Sequence, residues 1–154
     1  MISKTEFMRK TPGIDFTTGS LGQGFSAAAG IALGQRLKGE SSYTFVIIGD
    51  GESQEGQIWE AAEFAATRKI GNLIAFTDFN RQQLDGYTAE IINMDNIDTR
   101  WLGFNWHVQR INGHDFSQID EAVSRAKAVK DRPSMIILDT IKSKGYLPGE
   151  GVRA

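Results

Sequence analysis

Phe45-Val46-Ile47-Ile48-Gly49-Asp50-Gly51-Glu52-Ser53-Gln54-Glu55-Gly56 is the stretch whose reading decides the fold. Its apolar start belongs to a short run, Tyr43 to Ile48, suited to a fully buried parallel strand. A glycine-rich loop follows, and Gln54 to Arg68 then sets Ile58, Trp59, Ala62, Ala65 and Ala66 at helical spacing. Strand, loop and helix are thus predicted in succession. A loop of this shape suits an anion, because glycines let backbone N–H groups approach closely. Yet it holds the acids Asp50, Glu52 and Glu55, and from Gly49 to Ala66 there is no Lys or Arg. A phosphate docking here needs positive charge from something other than the protein.

Reading outward, Leu21 to Lys38 is rich in Ala and Gly and predicts a closely packed buried helix. Downstream, Asn72 to Thr77 is a strand ending at Asp78-Phe79-Asn80, and Arg81 to Ile97 is a polar, irregular loop with a turn signal at Asp85-Gly86. Asn105 to Ile111 is a third strand, Phe116 to Val129 a third long helix and Met135 to Thr140 a fourth strand. This alternation predicts an α/β fold, a parallel sheet with helices on both faces. Residues 1–16 read as an extended arm, 17–145 as the domain and 146–154 as a tail.

The composition is that of a globular domain: 154 residues, 40% hydrophobic and 23% charged. A formal net charge of -2 gives no electrostatic case for nucleic acid or an anionic membrane as partner. Zero Cys excludes disulfides, thiolate metal sites and a cysteine nucleophile, and makes the cytoplasm the default expectation. No run approaches the roughly 18 apolar residues of a membrane span.

In a parallel sheet the ligand lies outside the carboxyl ends of the strands. Asp50 and Asn80 close two consecutive predicted strands and are expected to converge. Together with the backbone just beyond Asn80 they offer hard oxygens for a divalent cation such as Mg²⁺, which binds through one or two carboxylates with phosphates and water completing its set. A metal held this way would bridge the loop to a diphosphate. The alternative is a strand-to-helix turn whose acids only complement a helix N-terminus. Other motifs fail: Gln54 stands where a dinucleotide fingerprint needs its last glycine, no Gly-Lys-Ser/Thr is present, and Gln83 and Ala89 break a calcium loop at Asp78.

Gly49-Asp50-Gly51, followed about 30 residues later by Asn80, resembles the thiamine diphosphate motif, and its flanks resemble transketolase. Thr17-Thr18-Gly19-Ser20-Leu21-Gly22-Gln23-Gly24 is similar to the family TTGPLGQG segment, with Ser20 where many members have Pro. Gln54-Glu55-Gly56 and Leu84-Asp85-Gly86 match further family positions, and the likeness runs from about Thr11 to Gly145.

The resemblance implies a thiamine diphosphate-binding fold. Asp50, the Asn80 side-chain oxygen and the Gln82 main-chain oxygen would hold Mg²⁺. Gly49 and Gly51 would lie at the diphosphate, Gly19 near the aminopyrimidine, and Leu21 and Leu84 against the rings. Glu55 would couple two cofactor sites across a subunit interface, whereas Glu52 is expected to be solvated. The implied reaction moves a two-carbon ketol unit from a ketose phosphate to an aldose phosphate, with the cofactor as electron sink.

The family glutamate that activates the aminopyrimidine belongs to a separate pyrimidine-binding domain. That domain, or a C-terminal transketolase section, is the implied partner, in a homodimer or heterotetramer. Lys4-Thr5-Glu6 replaces a family Gly-His-Pro, and no Trp-His follows Gly145, so a section truncated at both ends is expected. An inactive binding module, or another thiamine diphosphate enzyme such as deoxyxylulose-phosphate synthase, remains as an alternative. The histidines, His107 in a predicted strand and His114 in Asn112-Gly113-His114-Asp115, read as packing and turn residues. Trp59, Trp101 and Trp106 read as core or interface aromatics.

Overall fold

The computed structural model describes residues 11–152. Its elements in chain order begin with α1 (Gln23–Leu37), β1 (Thr44–Gly49), a 3-10 turn (Glu52–Gln54), α2 (Gly56–Thr67) and β2 (Leu73–Phe79). A small hairpin of β3 (Gln82–Gln83) and β4 (Gly86–Tyr87) follows, then α3 (Thr88–Ile91) and α4 (Ile97–Gly103). The last three are β5 (His107–Asn112), α5 (Phe116–Ala128) and β6 (Ser134–Asp139). The main sheet has the order β1-β2-β6-β5, and every pair in it is parallel.

Burial follows from that order. The inner strands β2 and β6 run nearly unbroken through apolar, buried residues, as a parallel strand covered on both faces must. On one face α1 lays down Phe25, Ala28, Ala29 and Ala32, and α2 lays down Ile58, Ala61, Ala62 and Ala65. Both sets follow the spacing i, i+3, i+4, i+7, and their small side chains let the helices sit close to the sheet. Trp101 and Trp106 join Phe25 there, with ring centroids 4.9 to 5.8 Å apart. Such aromatic pairs add about 0.5–1.5 kcal/mol each beyond their buried area. On the other face α5 packs Ala122 and Ala126 over Ile74 and Ile136. Helices therefore lie on both faces, as predicted, but β1 is an edge strand and leaves Phe45 and Ile47 48% and 72% exposed where a fully buried strand was expected.

The segment 81–97 differs from expectation, being a hairpin and a short helix where an irregular loop was predicted, and α4 follows where no element was expected. The signal for α4 was Ile97 and Trp101, four apart and both fully buried. Expected strand and helix ends elsewhere fall within two residues of those observed. Within the predicted arm, residues 1–10 lie outside the described residues, and 11–16 carry no helix or strand.

Candidate cofactor and metal site

Strands β1 and β2 are neighbours in register, with Gly49 opposite Asp78, so the two loops leaving their carboxyl ends meet. Asp50 N–H donates to the Asp78 carbonyl at 3.2 Å, which prolongs the ladder by one bond. The Asp50 carboxylate is buried, at 1% exposure, and accepts from Arg81 N–H at 2.5 Å and Gly51 N–H at 2.7 Å. Burial raises its pKa above the usual carboxylate value, and Asp78 nearby adds to the rise, although the backbone donors oppose it. Among the described residues no Lys or Arg side chain pairs with it.

Asn80 completes the meeting point. Its Nδ2 donates to Asp78 Oδ2 at 2.8 Å, while its Oδ1 accepts from Gln82 N–H at 2.9 Å. Between them Arg81 adopts φ 64°, a left-handed conformation uncommon for a residue with a side chain. That turn aims Arg81 N–H at Asp50, and the Arg81 guanidinium is held by Asp139 at 2.9 Å and over the Phe79 ring. Asp50, Asn80 and Gln82 are therefore brought together.

The residues at this point fit a hard divalent cation. Among the described residues the buried carboxylate has only neutral backbone donors and so lacks a counter-charge. Gln82 Oε1 is also buried without a partner among those residues, while its Nε2 donates to the Gly151 carbonyl at 3.3 Å. Gly51 is required sterically, since a Cβ there would come 2.8 Å from Gln83 Cβ in the hairpin. Gln54 Nε2 locks that hairpin in place, donating to Gln83 Oε1 at 2.6 Å and to the Ile92 carbonyl at 3.2 Å.

Glu52 corrects the expectation of a solvated side chain. The 3-10 turn carries it back over the loop, where its two carboxylate oxygens accept from Gly22 N–H at 2.9 Å and Gly49 N–H at 3.2 Å. Gly22, with φ 81°, is the N-cap of α1 and ends the segment containing Gly19 and Leu21. Glu52 therefore clasps the expected thiamine side of the site to the expected diphosphate side. No local pattern could reveal this, because Gly22 is 30 residues away in sequence.

The residues expected to line the rings lie open. Gly19 is exposed, Leu21 is 55% exposed, and Leu84 at the tip of the β3–β4 hairpin is 81% exposed. Glu55 is exposed at the N-cap of α2. The site is a ledge, and a hollow lined by Ser26, Ala29, Gln57, Glu60, Ala61 and Phe64 lies apart from it, between α1 and α2.

The histidines do other work. His107 Nδ1 lies 3.3 Å from Ser134 Oγ on the neighbouring strand, and burial, then Arg132 and Arg125, hold its pKa below the ordinary value. His114 Nε2 accepts from Ile141 N–H at 2.8 Å, and Asp115 caps α5 by accepting from Ser117 and Gln118 N–H. Trp106 Nε1 donates to the Ala62 carbonyl in the core.

The sequence model for "Transketolase, thiamine diphosphate binding domain" matches residues 4–151. A 6-deoxy-6-sulfo-D-fructose transketolase subunit from Clostridium sp. (strain MSTE9) is 55% identical over 144 residues, covering 94% of this chain and 52% of that protein. An apulose-4-phosphate transketolase subunit from Phocaeicola vulgatus is 35% identical over 143 residues, covering 93% and 51%. Among solved structures, a transketolase mutant from Pichia stipitis superimposes with a TM-score of 0.84 at 35% identity, covering 93% of this chain and 23% of that one. The chain spans about half the length of the two bacterial proteins.

Proposed function

Because the chain belongs to the thiamine diphosphate-binding domain family of transketolase, a transferase, we propose that it holds Mg²⁺ and the cofactor diphosphate for ketol transfer between sugar phosphates. The observation that carries this reading is the buried Asp50 carboxylate, set against Asn80 and Gln82 with no cationic side chain among the described residues to neutralise it. Asp50, the Asn80 side-chain oxygen and the Gln82 main-chain oxygen would hold the metal. Gly49 and Gly51 would border the diphosphate, and Gly51 N–H would exchange its bond to Asp50 for one to the anion. Gly19, Leu21 and Leu84 would line the rings.

When bound, the cofactor supplies the electron sink for cleavage and formation of the carbon–carbon bond. The chain's own part is binding and orientation: Glu52 holds the 19–22 segment against Gly49, and the hairpin closes over Gly51. A site that is an open ledge with exposed Leu21 and Leu84 cannot exclude water alone. This supports a partner wall, a pyrimidine-binding domain or C-terminal section, with Glu55 facing the neighbouring protomer. Homodimer or heterotetramer, and a cytoplasmic setting, belong to the same reading. Among the described residues no helix is long and apolar enough to cross a membrane.

The test is a thermal-shift titration of the full chain with thiamine diphosphate, with and without Mg²⁺. Ligand at about 100 times its dissociation constant adds roughly 2.7 kcal/mol to stability. The expected result is a metal-dependent shift, absent in Asp50→Ala. No shift at millimolar cofactor overturns the binding reading. Steady ketol transfer by the chain alone, without a pyrimidine-domain partner, overturns the dependence on one.

A further inference from the structure

Asp78 lies on β2 two residues before Asn80, and its carboxylate is gripped at both oxygens. Oδ2 accepts from Asn80 Nδ2 at 2.8 Å, and Oδ1 accepts from the Thr140 hydroxyl just beyond β6. Thr140 is itself placed by the sheet, because β2 and β6 pair through Phe79 and Asp139 and Thr140 N–H donates to the Phe79 carbonyl at 3.3 Å. Two adjacent strands thus fix this carboxylate where it meets the Asn80 amide.

The consequence is chemical. A carboxylate oxygen only accepts, so the amide must turn its NH₂ toward Asp78 and its oxygen away. That oxygen then lies toward Gln82 N–H, in the loop that wraps the Asp50 carboxylate. Without Asp78 the amide could turn over and aim N–H donors at a cation. We infer that Asp78, steadied by Thr140, is a positioning residue that keeps the Asn80 oxygen available to the metal. The inference rests on the metal-binding reading above. It assigns Asp78 no contact with metal, cofactor or substrate.

The experiment measures the Mg²⁺ concentration giving half-maximal stabilisation of the full chain at saturating thiamine diphosphate. Metal-free melting temperatures are recorded in parallel, and Mn²⁺ binding by electron paramagnetic resonance gives a second readout. Partners that orient a metal ligand typically change affinity about 10–100-fold when removed. Asp78→Ala is expected to raise the half-saturating concentration by about that factor, and Thr140→Val by less. The exchange D78N/N80D is expected to recover most of the loss, because an amide at 78 then donates to a carboxylate at 80 that has only oxygens to offer.

A merely structural tie would lower the metal-free melting temperature and leave the half-saturating concentration unchanged. That result with wild type responding to metal overturns the inference alone. No metal response from wild type overturns the binding reading and the inference with it. If Asp78→Ala does not fold, Thr140→Val and the exchange decide the matter: unchanged metal affinity in Thr140→Val, with no recovery in the exchange, overturns the inference.

Discussion

Besides Asp78, the carboxyl edge of the sheet carries two aspartates that are treated differently. At the end of β6, Asp139 lies between Arg81 and Arg110, at 2.9 and 2.8 Å, and Arg110 in turn reaches Asp98 and lies over the Phe79 ring. The hydrogen bond from Arg110 is the chief reason its pKa lies below the usual carboxylate value. Beyond β1, Asp50 is more deeply buried, has only backbone donors among the described residues, and its pKa moves the other way. A carboxylate whose counter-charge folds with it is a structural tie; one buried without a counter-charge makes room for a cation from outside. The missing arginine is thus more informative than the acid itself.

The strongest way to break the contrast is Asp50→Asn. It should abolish the metal-dependent stabilisation of roughly 2.7 kcal/mol expected at saturating cofactor. It should also raise the metal-free melting temperature at neutral pH. Asp50 binds a proton more readily folded than unfolded, so its charged form opposes folding as pH rises above the ordinary value of 3.8. Each kcal/mol recovered is worth about 2–4 °C in a domain of this size. Calorimetry with and without Mg²⁺ reads both effects, and a lower metal-free melting temperature would show that the Asp50 hydrogen bonds outweigh its desolvation.

Glu52→Ala should cost about 1–3 kcal/mol in chemical denaturation by leaving Gly22 and Gly49 N–H without their acceptor. Glu52→Gln should recover part of that, since an amide oxygen still accepts one bond. Equal losses in both variants would count against the clasp.

On the other side of the contrast, Arg110→Met keeps the apolar stem near Phe79 and removes the charge from Asp139. We expect a cost of about 1 kcal/mol, given a partly exposed network, with the Mg²⁺ half-saturation unchanged. A shifted metal affinity would mean that the two ends of the edge are coupled, through Arg81. The smallest effect is expected at His107. Its folded pKa lies below 6.5, so its contribution to stability is complete above that pH and declines as pH falls below it, because the unfolded chain takes the proton first. His107→Gln should flatten the stability profile between about pH 7 and pH 5, measured by denaturant titration at each pH.

These contrasts also separate what could be read along the chain from what could not. The strand–loop–helix unit at Gly49, the second strand ending at Asp78, and the convergence of Asp50 with Asn80 were legible because hydrophobic periodicity and parallel topology act over a few residues at a time. The helix α4 was missed because its two buried residues, Ile97 and Trp101, make too short a period to stand out from a polar segment. Glu52 was misread for a different reason. The expectation of a solvated side chain came from the family resemblance, whereas packing of α1 beside the loop brings Gly22 N–H to its carboxylate.

The sequence by itself determined the element order, the acidic glycine loop and the absence of a basic residue near it, since these are properties of composition and spacing. Only the tertiary structure decided which acids are buried, which donors meet them and which way the Asn80 amide turns. Desolvation depends on atoms supplied by distant strands; the Asn80 amide meets Asp78 and Gln82, each two residues away, while β6 brings Thr140, sixty-two residues beyond Asp78, to the other oxygen of the Asp78 carboxylate.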